Sequence, residues 1–196
     1  PQPDGRFTAE FELFNVATGQ RMTGARFPGV EPGSKRRLAH HIADLIYEAI
    51  TGVRGVFSTR VTYVTQVGTN YELQVADADG YNPVTVLRTQ EPILSPTWSA
   101  DGRFVAYATY SNRRAAIFRQ DVGTGLRQLV SSFPGLNGAP AFSPDGHRIA
   151  MVLSKDGNPD VYVMDLAGGP PRRLSQHYAI DTEPTWSPDG RYIYFT

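Results

Sequence analysis

A short segment recurs at a fixed interval, and this repeat constrains the fold more than any other feature of the sequence. Its three copies are Ser95–Tyr107, Ala139–Met151 and Glu183–Phe195. Trp98, Phe142 and Trp186 are spaced 44 residues apart. The same spacing separates Asp101, Asp145 and Asp189. Repeats of roughly 20 to 50 residues are typical of chains built from stacked supersecondary units.

Each repeat unit contains four short runs of β-branched and aromatic residues separated by turn residues. In the best-defined unit the predicted strands are Ala139–Phe142, Arg148–Leu153, Asp160–Asp165 and Arg172–Leu174. Such runs favour strands over helices. A four-stranded antiparallel meander at this interval is typical of a propeller blade. The predicted fold is therefore mainly β, a β-propeller of 44-residue four-stranded blades with Trp-Ser-Pro-Asp-Gly-type repeats.

The repeated Ser-Pro-Asp-Gly sequence predicts a tight hairpin between the first two strands of a blade. Pro144 presets the φ angle of the first central position, and Gly146 supplies the positive φ that the turn requires. Trp98, Phe142 and Trp186 occupy one repeat position, so we expect them to pack between blades rather than to bind a ligand.

The repeat also suggests the domain boundaries. Tyr63 lies one interval before Tyr107, so the first unit is expected to begin near residue 57. Residues 57–196 would hold the first three blades, the third or fourth of them incomplete, which is fewer than the four to eight blades of a closed ring. We therefore expect a piece of a larger protein.

Residues 1–56 do not carry the repeat and predict the C-terminal part of a small α/β domain. Phe7–Phe14 alternates as a strand, and Gln20–Gly24 is expected to pair with it. A helix with an apolar face should follow, with Ser34 as its N-cap and Gly52 just past its end.

The composition excludes several functions. Nineteen basic residues balance nineteen acidic ones, so no strong field favours nucleic acid as a partner. No apolar run is long enough for a transmembrane segment. The sequence contains no cysteine and no nucleophile-elbow or phosphate-loop motif, and its four histidines are not spaced as metal ligands. Asp77-Ala-Asp79-Gly80 resembles the start of a calcium loop, but Arg88 stands where the bidentate Glu belongs. We expect no catalytic residue, no cofactor and no metal.

The motifs together resemble the TolB family of the Tol-Pal system. The resemblance rests on Asn137–Gly146, Asp160–Leu166 and Asp181–Trp186, and on the passage from Glu48–Gly55 into Phe57–Val64. It implies a non-enzymatic scaffold of the periplasm that supports outer-membrane integrity and cell division. The implied partners are the lipoprotein Pal, bound at the propeller mouth, and TolA, bound through an N-terminal segment that this chain lacks.

The resemblance places the Pal-contacting loops on the connections from the fourth strand of one blade to the first strand of the next. The residues expected to bind this partner are Leu136, Asn137, Gly138, Ala139, Thr182 and Glu183. The same residues could instead serve only as turn formers. Two other interpretations remain open, namely the propeller of a prolyl-oligopeptidase-like or tricorn-like peptidase without its catalytic domain, and a sugar- or peptide-binding propeller.

Overall fold

A computed structural model describes residues 4–196, which form two compact units. The first unit contains the chain up to Val61 together with Ala76–Asn82, and the second contains Thr62–Val75 and Pro83–Thr196. No helix in the described residues is both long enough and apolar enough to cross a membrane.

The first unit consists of a strand pair and one helix. Strand β1 (Phe7–Phe14) pairs antiparallel with β2 (Arg21–Val30), and helix α1 (Lys35–Thr51) follows a short 3-10 turn. The second strand is longer than the sequence predicted because Phe7 pairs as far along as Val30, across the bulge that precedes Ala9. Helix α1 packs against β2, and the ring of His41 lies edge-on to Phe27 at 5.7 Å.

The two ends of helix α1 were predicted with different success. Gly52 ends the helix in the left-handed conformation, with φ of 74° and its N–H bonded to the Glu48 carbonyl at 2.8 Å. Ser34 does occupy the N-cap position, but its side chain makes no capping hydrogen bond. Ser34 is the last residue of the 3-10 turn and has φ of −94° and ψ of 2°, whereas a capping serine typically has an extended backbone.

The remaining strands form four antiparallel sheets, each with its strands in chain order. The first sheet comprises β3 (Arg60–Val67), β4 (Asn70–Asp77) and β5 (Val84–Thr89). The second comprises β6 (Leu94–Trp98), β7 (Phe104–Ser111), β8 (Arg114–Asp121) and β9 (Arg127–Ser131). The third comprises β10 (Asn137–Phe142), β11 (Arg148–Leu153), β12 (Asp160–Asp165) and β13 (Arg172–Arg173), and β14 (Thr185–Trp186) with β15 (Ile193–Tyr194) forms the last.

The predicted meander is confirmed in the second and third sheets. The first sheet has three described strands, which correspond by the 44-residue interval to the second, third and fourth strands of a repeat. The first strand of each later sheet packs near that of the sheet before, as β10 does with β6 and β14 with β10.

Two apolar clusters hold the sheets of the second unit face to face. One lies between the first and second sheets around Leu73 and Tyr107, and the other between the second and third around Ile117, Met151 and Tyr162, all fully buried. Full burial of a large apolar side chain contributes about 1.5–3 kcal/mol. These clusters are the main source of stability between neighbouring sheets.

The repeated aromatic residues lie at these junctions, as predicted. Trp98 packs on the cluster around Leu73, and Phe142 packs on the cluster around Ile117. The indole N–H of Trp186 donates to the Ala141 carbonyl of the preceding sheet at 3.0 Å. The repeat position is therefore structural in every copy.

The hairpin between the first and second strands is closed by a cluster of hydrogen bonds around one buried serine. The Ser143 hydroxyl donates to the Asp145 carboxylate and accepts the N–H of Arg148 at 2.9 Å. Asp145 also accepts the N–H of His147 at 3.0 Å, and the Gly146 N–H donates to the Ser143 carbonyl at 2.9 Å. Gly146 has φ of 72°, as the turn prediction required.

The other two copies of the turn repeat this arrangement. Ser99 donates to Asp101, and Ser187 donates to Asp189, each at 2.5 Å. All three serines are at least nine-tenths buried. Hydrogen bonds to a carboxylate favour its ionised form, so the bonds from the serine and from the N–H two residues on lower the pKa of Asp101 and Asp189, and lower that of Asp145 to about 2.

The turn aspartates predict how stability depends on acid. A carboxyl group whose pKa is lower in the folded state stabilises the fold above its unfolded pKa, and the contribution is lost as pH falls toward the folded value. For Asp145 this window runs from about 4 to about 2. In the full-length protein, Asp145→Asn should make the urea midpoint less dependent on pH within this window, while Glu10→Gln on β1 should not. Equal pH dependence in the Asp145 variant and the wild type would contradict this account.

Candidate protein-binding site

All six residues predicted to bind a partner lie around one cleft of the second unit. The cleft has a volume of about 200 Å³. It lies beside the first residues of β6 and β10 and beside Thr182 and Glu183, which immediately precede β14. We call it the mouth cleft. Its lining residues are Leu94, Ser95, Ala108, Thr109, Tyr110, Ala115, Leu136, Asn137, Gly138, Ala139, Val152, Thr182 and Glu183.

Three lining residues share an unusual backbone conformation. Ser95, Ala139 and Glu183 follow one another at the 44-residue interval and have φ of 47°, 44° and 51°. A residue other than glycine in this region costs about 1 kcal/mol or more. The same strained residue is thus repeated in three consecutive units, always at the cleft.

The strain occurs where the first strand of each sheet leaves its ladder. The pairing of β10 with β11 is interrupted between Gly138 and Ala141, and the pairing of β6 with β7 is interrupted at the equivalent position. Pro140 follows Ala139 inside this irregularity. Because proline has no N–H, Pro140 itself adds no unpaired ladder donor there. Gly138 and Ala139, at this irregularity, both line the cleft.

Asn137 shapes the connection before β10 instead of presenting its side chain to solvent. It is 2% exposed, and its amide N–H groups donate to the carbonyls of Phe133 at 2.7 Å and Gly135 at 3.2 Å. Its amide oxygen accepts the Ser131 hydroxyl at 2.6 Å and the Phe133 N–H at 3.0 Å. The residue therefore fixes the loop that carries Leu136.

The connection before β14 is also held by a side-chain amide, but the residue that supplies it lies outside the connection. One interval after Phe133 and Gly135, the carbonyls of His177 and Ala179 both accept the side-chain amide of Asn158. Asp181 occupies the position equivalent to Asn137, and an ionised carboxylate has no N–H to donate. Asn158, from the turn between β11 and β12, supplies the donor instead.

The remaining predicted residues line the cleft in different ways. Leu136 is 45% exposed, and its backbone N–H is bonded to the Ser154 hydroxyl at 2.7 Å. The backbone of Thr182 pairs with Thr196 in both directions, at 2.7 and 3.0 Å. Glu183 is exposed and Gly138 is half-buried. Leu136 and Glu183 thus offer side chains, whereas Asn137 and Thr182 hold the backbone in place.

Leu94, Ser95 and Tyr110 also line the cleft, although they were not among the six residues expected to bind the partner. The interval makes Ser95 the equivalent of Ala139. Leu94 is 52% exposed and Tyr110 is 44% exposed. Among the lining residues, none pairs a nucleophile with a base.

A second cluster lies in the first unit, where sequence reasoning expected no metal site. His40, Asp77 and Asp79 place their ligand atoms within 4.8 Å of one another. The Arg36 guanidinium bonds Asp79, lies 3.4 Å from Asp77, and stacks on Tyr81 at 4.0 Å. The hydrogen bond from Arg36 lowers the pKa of Asp79. Arg36 therefore supplies a cation beside both carboxylates.

Comparison with known proteins identifies the family. The family described as "TolB beta propeller domain" matches residues 47–196. This chain belongs to the TolB family of β-propellers. It is 52% identical over 140 residues to the "Tol-Pal system protein TolB" of Xanthomonas oryzae pv. oryzae, an alignment that covers 69% of this chain and 32% of that protein.

Solved structures agree with the predicted fold. The crystal structure of TolB from Acinetobacter baumannii superposes with a TM-score of 0.88 at 39% identity, over 98% of this chain and 49% of that one. The tricorn protease has a TM-score of 0.55 at 17% identity, over 73% of this chain and 14% of that one, which shows a shared fold alone. The chain spans about a third of the curated TolB relative and about half of the Acinetobacter TolB.

Asn137 and Asn158 each hold two loop carbonyls with a side-chain amide, an arrangement we call an amide clamp. The two clamps should contribute differently to the free energy of unfolding. In the full-length protein, Asn137→Ala would remove both donated bonds of a buried side chain and leave two loop carbonyls without this donor, which should cost about 3 kcal/mol of unfolding free energy. Asn158→Ala removes the equivalent bonds from a more exposed loop and should cost about 1 kcal/mol or less. Urea denaturation measures both costs. Equal costs would contradict the assignment of Asn137 as the more deeply buried clamp.

Proposed function

We propose that this chain is part of a non-enzymatic periplasmic scaffold of the Tol-Pal system that binds the lipoprotein Pal at the mouth cleft. In this proposal the protein supports outer-membrane integrity and cell division. TolA would be bound through an N-terminal segment outside this chain. Residues 1–56 would form the end of the α/β domain, and residues 57–196 would form part of the propeller.

The observation that carries the proposal is the repeated left-handed residue at the cleft. Ser95, Ala139 and Glu183 hold the strand starts in a strained conformation at the cleft, whereas the apolar clusters lie between the sheets. Retained strain is concentrated at functional sites, where it presents groups in a fixed position. The small side chain of Ala139 leaves room for a partner to approach the backbone closely.

The size of the site also favours a protein partner. A second cleft of about 560 Å³ shares Tyr110, Ala115 and Leu136 with the mouth cleft. It is also lined by Arg113, Arg114 and Phe133–Gly135. A stable protein interface needs about 800 Å² on each partner, which exceeds the area of either cleft. The two clefts would therefore receive anchoring side chains within a broader contact.

The first test is a calorimetric titration of the full-length protein with the soluble domain of Pal from the same bacterium. Ala139→Trp should abolish saturable binding because an indole would fill the mouth cleft. Ala167→Trp is the matched control, since Ala167 is exposed in the hairpin at the other end of the same sheet. The control variant should bind as the wild type does.

Each outcome decides a separate point. No binding by the wild type at tens of micromolar would overturn the proposed function. Binding that survives Ala139→Trp would leave Pal as the partner but move the contact away from the mouth cleft. Loss of binding in both tryptophan variants, with unchanged urea midpoints, would also contradict the assigned face.

A further inference from the structure

The connection between β13 and β14 carries the most exposed large aromatic side chain in the described residues. Tyr178 is 91% exposed, and Ile180, two residues on, is 63% exposed. This connection leads directly into Thr182 and Glu183 of the mouth cleft. An exposed tyrosine beside an exposed isoleucine is costly to leave in water and typical of binding surfaces.

The positions equivalent to Tyr178 and Ile180 in the preceding repeat are also exposed to solvent. One interval earlier, Pro134 and Leu136 are the equivalents of Tyr178 and Ile180. That connection lies between two complete four-stranded sheets, yet Pro134 is exposed and Leu136 is 45% exposed. The fold therefore directs these two positions into solvent even where sheets flank them on both sides.

The loop that carries Tyr178 is held in one conformation. Asn158 binds the carbonyls on either side of Tyr178, the ring nitrogen Nδ1 of His177 accepts the Ala179 N–H at 3.2 Å, and the Asp181 N–H donates to the Pro159 carbonyl at 3.0 Å. The ring of Tyr178 also packs on His177, with centroids 4.1 Å apart. Binding would then cost little ordering of the loop, which favours affinity.

Two carboxylates flank this apolar pair. Asp181 and Glu183 follow Ile180 closely, and among residues 4–196 neither takes part in an ion pair. Their negative charge is thus uncompensated beside the exposed ring. A partner that brings lysine or arginine to the edge of an apolar contact would complement both features.

We propose that Tyr178 and Ile180 are specificity-determining residues of the mouth, which anchor an apolar patch of the protein partner while Asp181 and Glu183 receive its basic rim. This inference rests on the proposed function, because the partner is the one that binds the mouth cleft. It assigns a role in binding to Tyr178, Ile180 and Asp181, which are not among the six residues expected to bind the partner, and it gives Glu183, which is one of the six, a charge to match.

The test measures Pal binding by the full-length protein with three variants. Tyr178→Ala should weaken binding about tenfold or more, as expected for a central aromatic anchor, whereas Tyr178→Phe should stay within about twofold because it keeps the ring. Tyr192→Ala is the matched control, since Tyr192 is 63% exposed in the hairpin at the other end of the last sheet. This control should bind as the wild type does.

The dependence of the association rate on ionic strength tests the proposed role of Asp181 and Glu183. The double variant Asp181→Asn, Glu183→Gln should show an association rate that varies less with ionic strength than the wild-type rate. If wild-type binding is lost in Ala139→Trp but Tyr178→Ala binds as tightly as Tyr192→Ala, the inference is wrong and the proposed function stands. If the wild type does not bind at all, the proposed function itself has failed.

Discussion

The hydrogen-bonded turn around Ser99, Ser143 and Ser187 is the interaction on which the rest of the second unit depends. Each serine ties the end of a first strand to the start of a second, so it fixes the register of that pair. A slip of one residue would move every side chain to the opposite face of the sheet. The register in turn places Phe142 and Trp186 at the junctions between sheets and sends Ala139 and Glu183 to the other end of the strand. One local cluster of polar bonds thereby determines both the apolar packing and the position of the mouth cleft.

The two ends of the first strand tolerate different amounts of strain. At the turn end, Gly102, Gly146 and Gly190 take the positive φ values without steric cost. At the cleft end, Ser95, Ala139 and Glu183 adopt similar values with a side chain present. A proline follows each of these residues, and the ladder resumes immediately afterwards in the second and third sheets. The stable end of the hairpin thus supports the less stable end, where the backbone is available for contact.

Much of this architecture follows from residue pattern alone, because the features concerned are local and repeated. The interval, the meander, the glycine of the turn and the interfacial aromatics each depend on contacts within one unit or between adjacent units. The features that sequence reasoning missed depend on contacts between segments far apart in sequence. Arg36 meets Asp77 and Asp79, and Asn158 meets His177 and Ala179, only after folding. The burial of Asn137 was not predicted either, because an Asn-Gly pair in a sequence is typical of an exposed turn.

The two asparagine clamps show that the path of a connecting loop does not depend on the side chain at the end of that loop. Positions 137 and 181 are equivalent but carry an amide and a carboxylate, and both loops are held by an asparagine. In one unit the donor is Asn137, which is part of the loop, and in the next it is Asn158, which comes from the neighbouring turn. Moving the donor to a second segment releases position 181 to carry a charge without changing which carbonyls are held. A propeller built in this way can alter the electrostatics of its rim one blade at a time during evolution, while the loops that display that rim keep their shape.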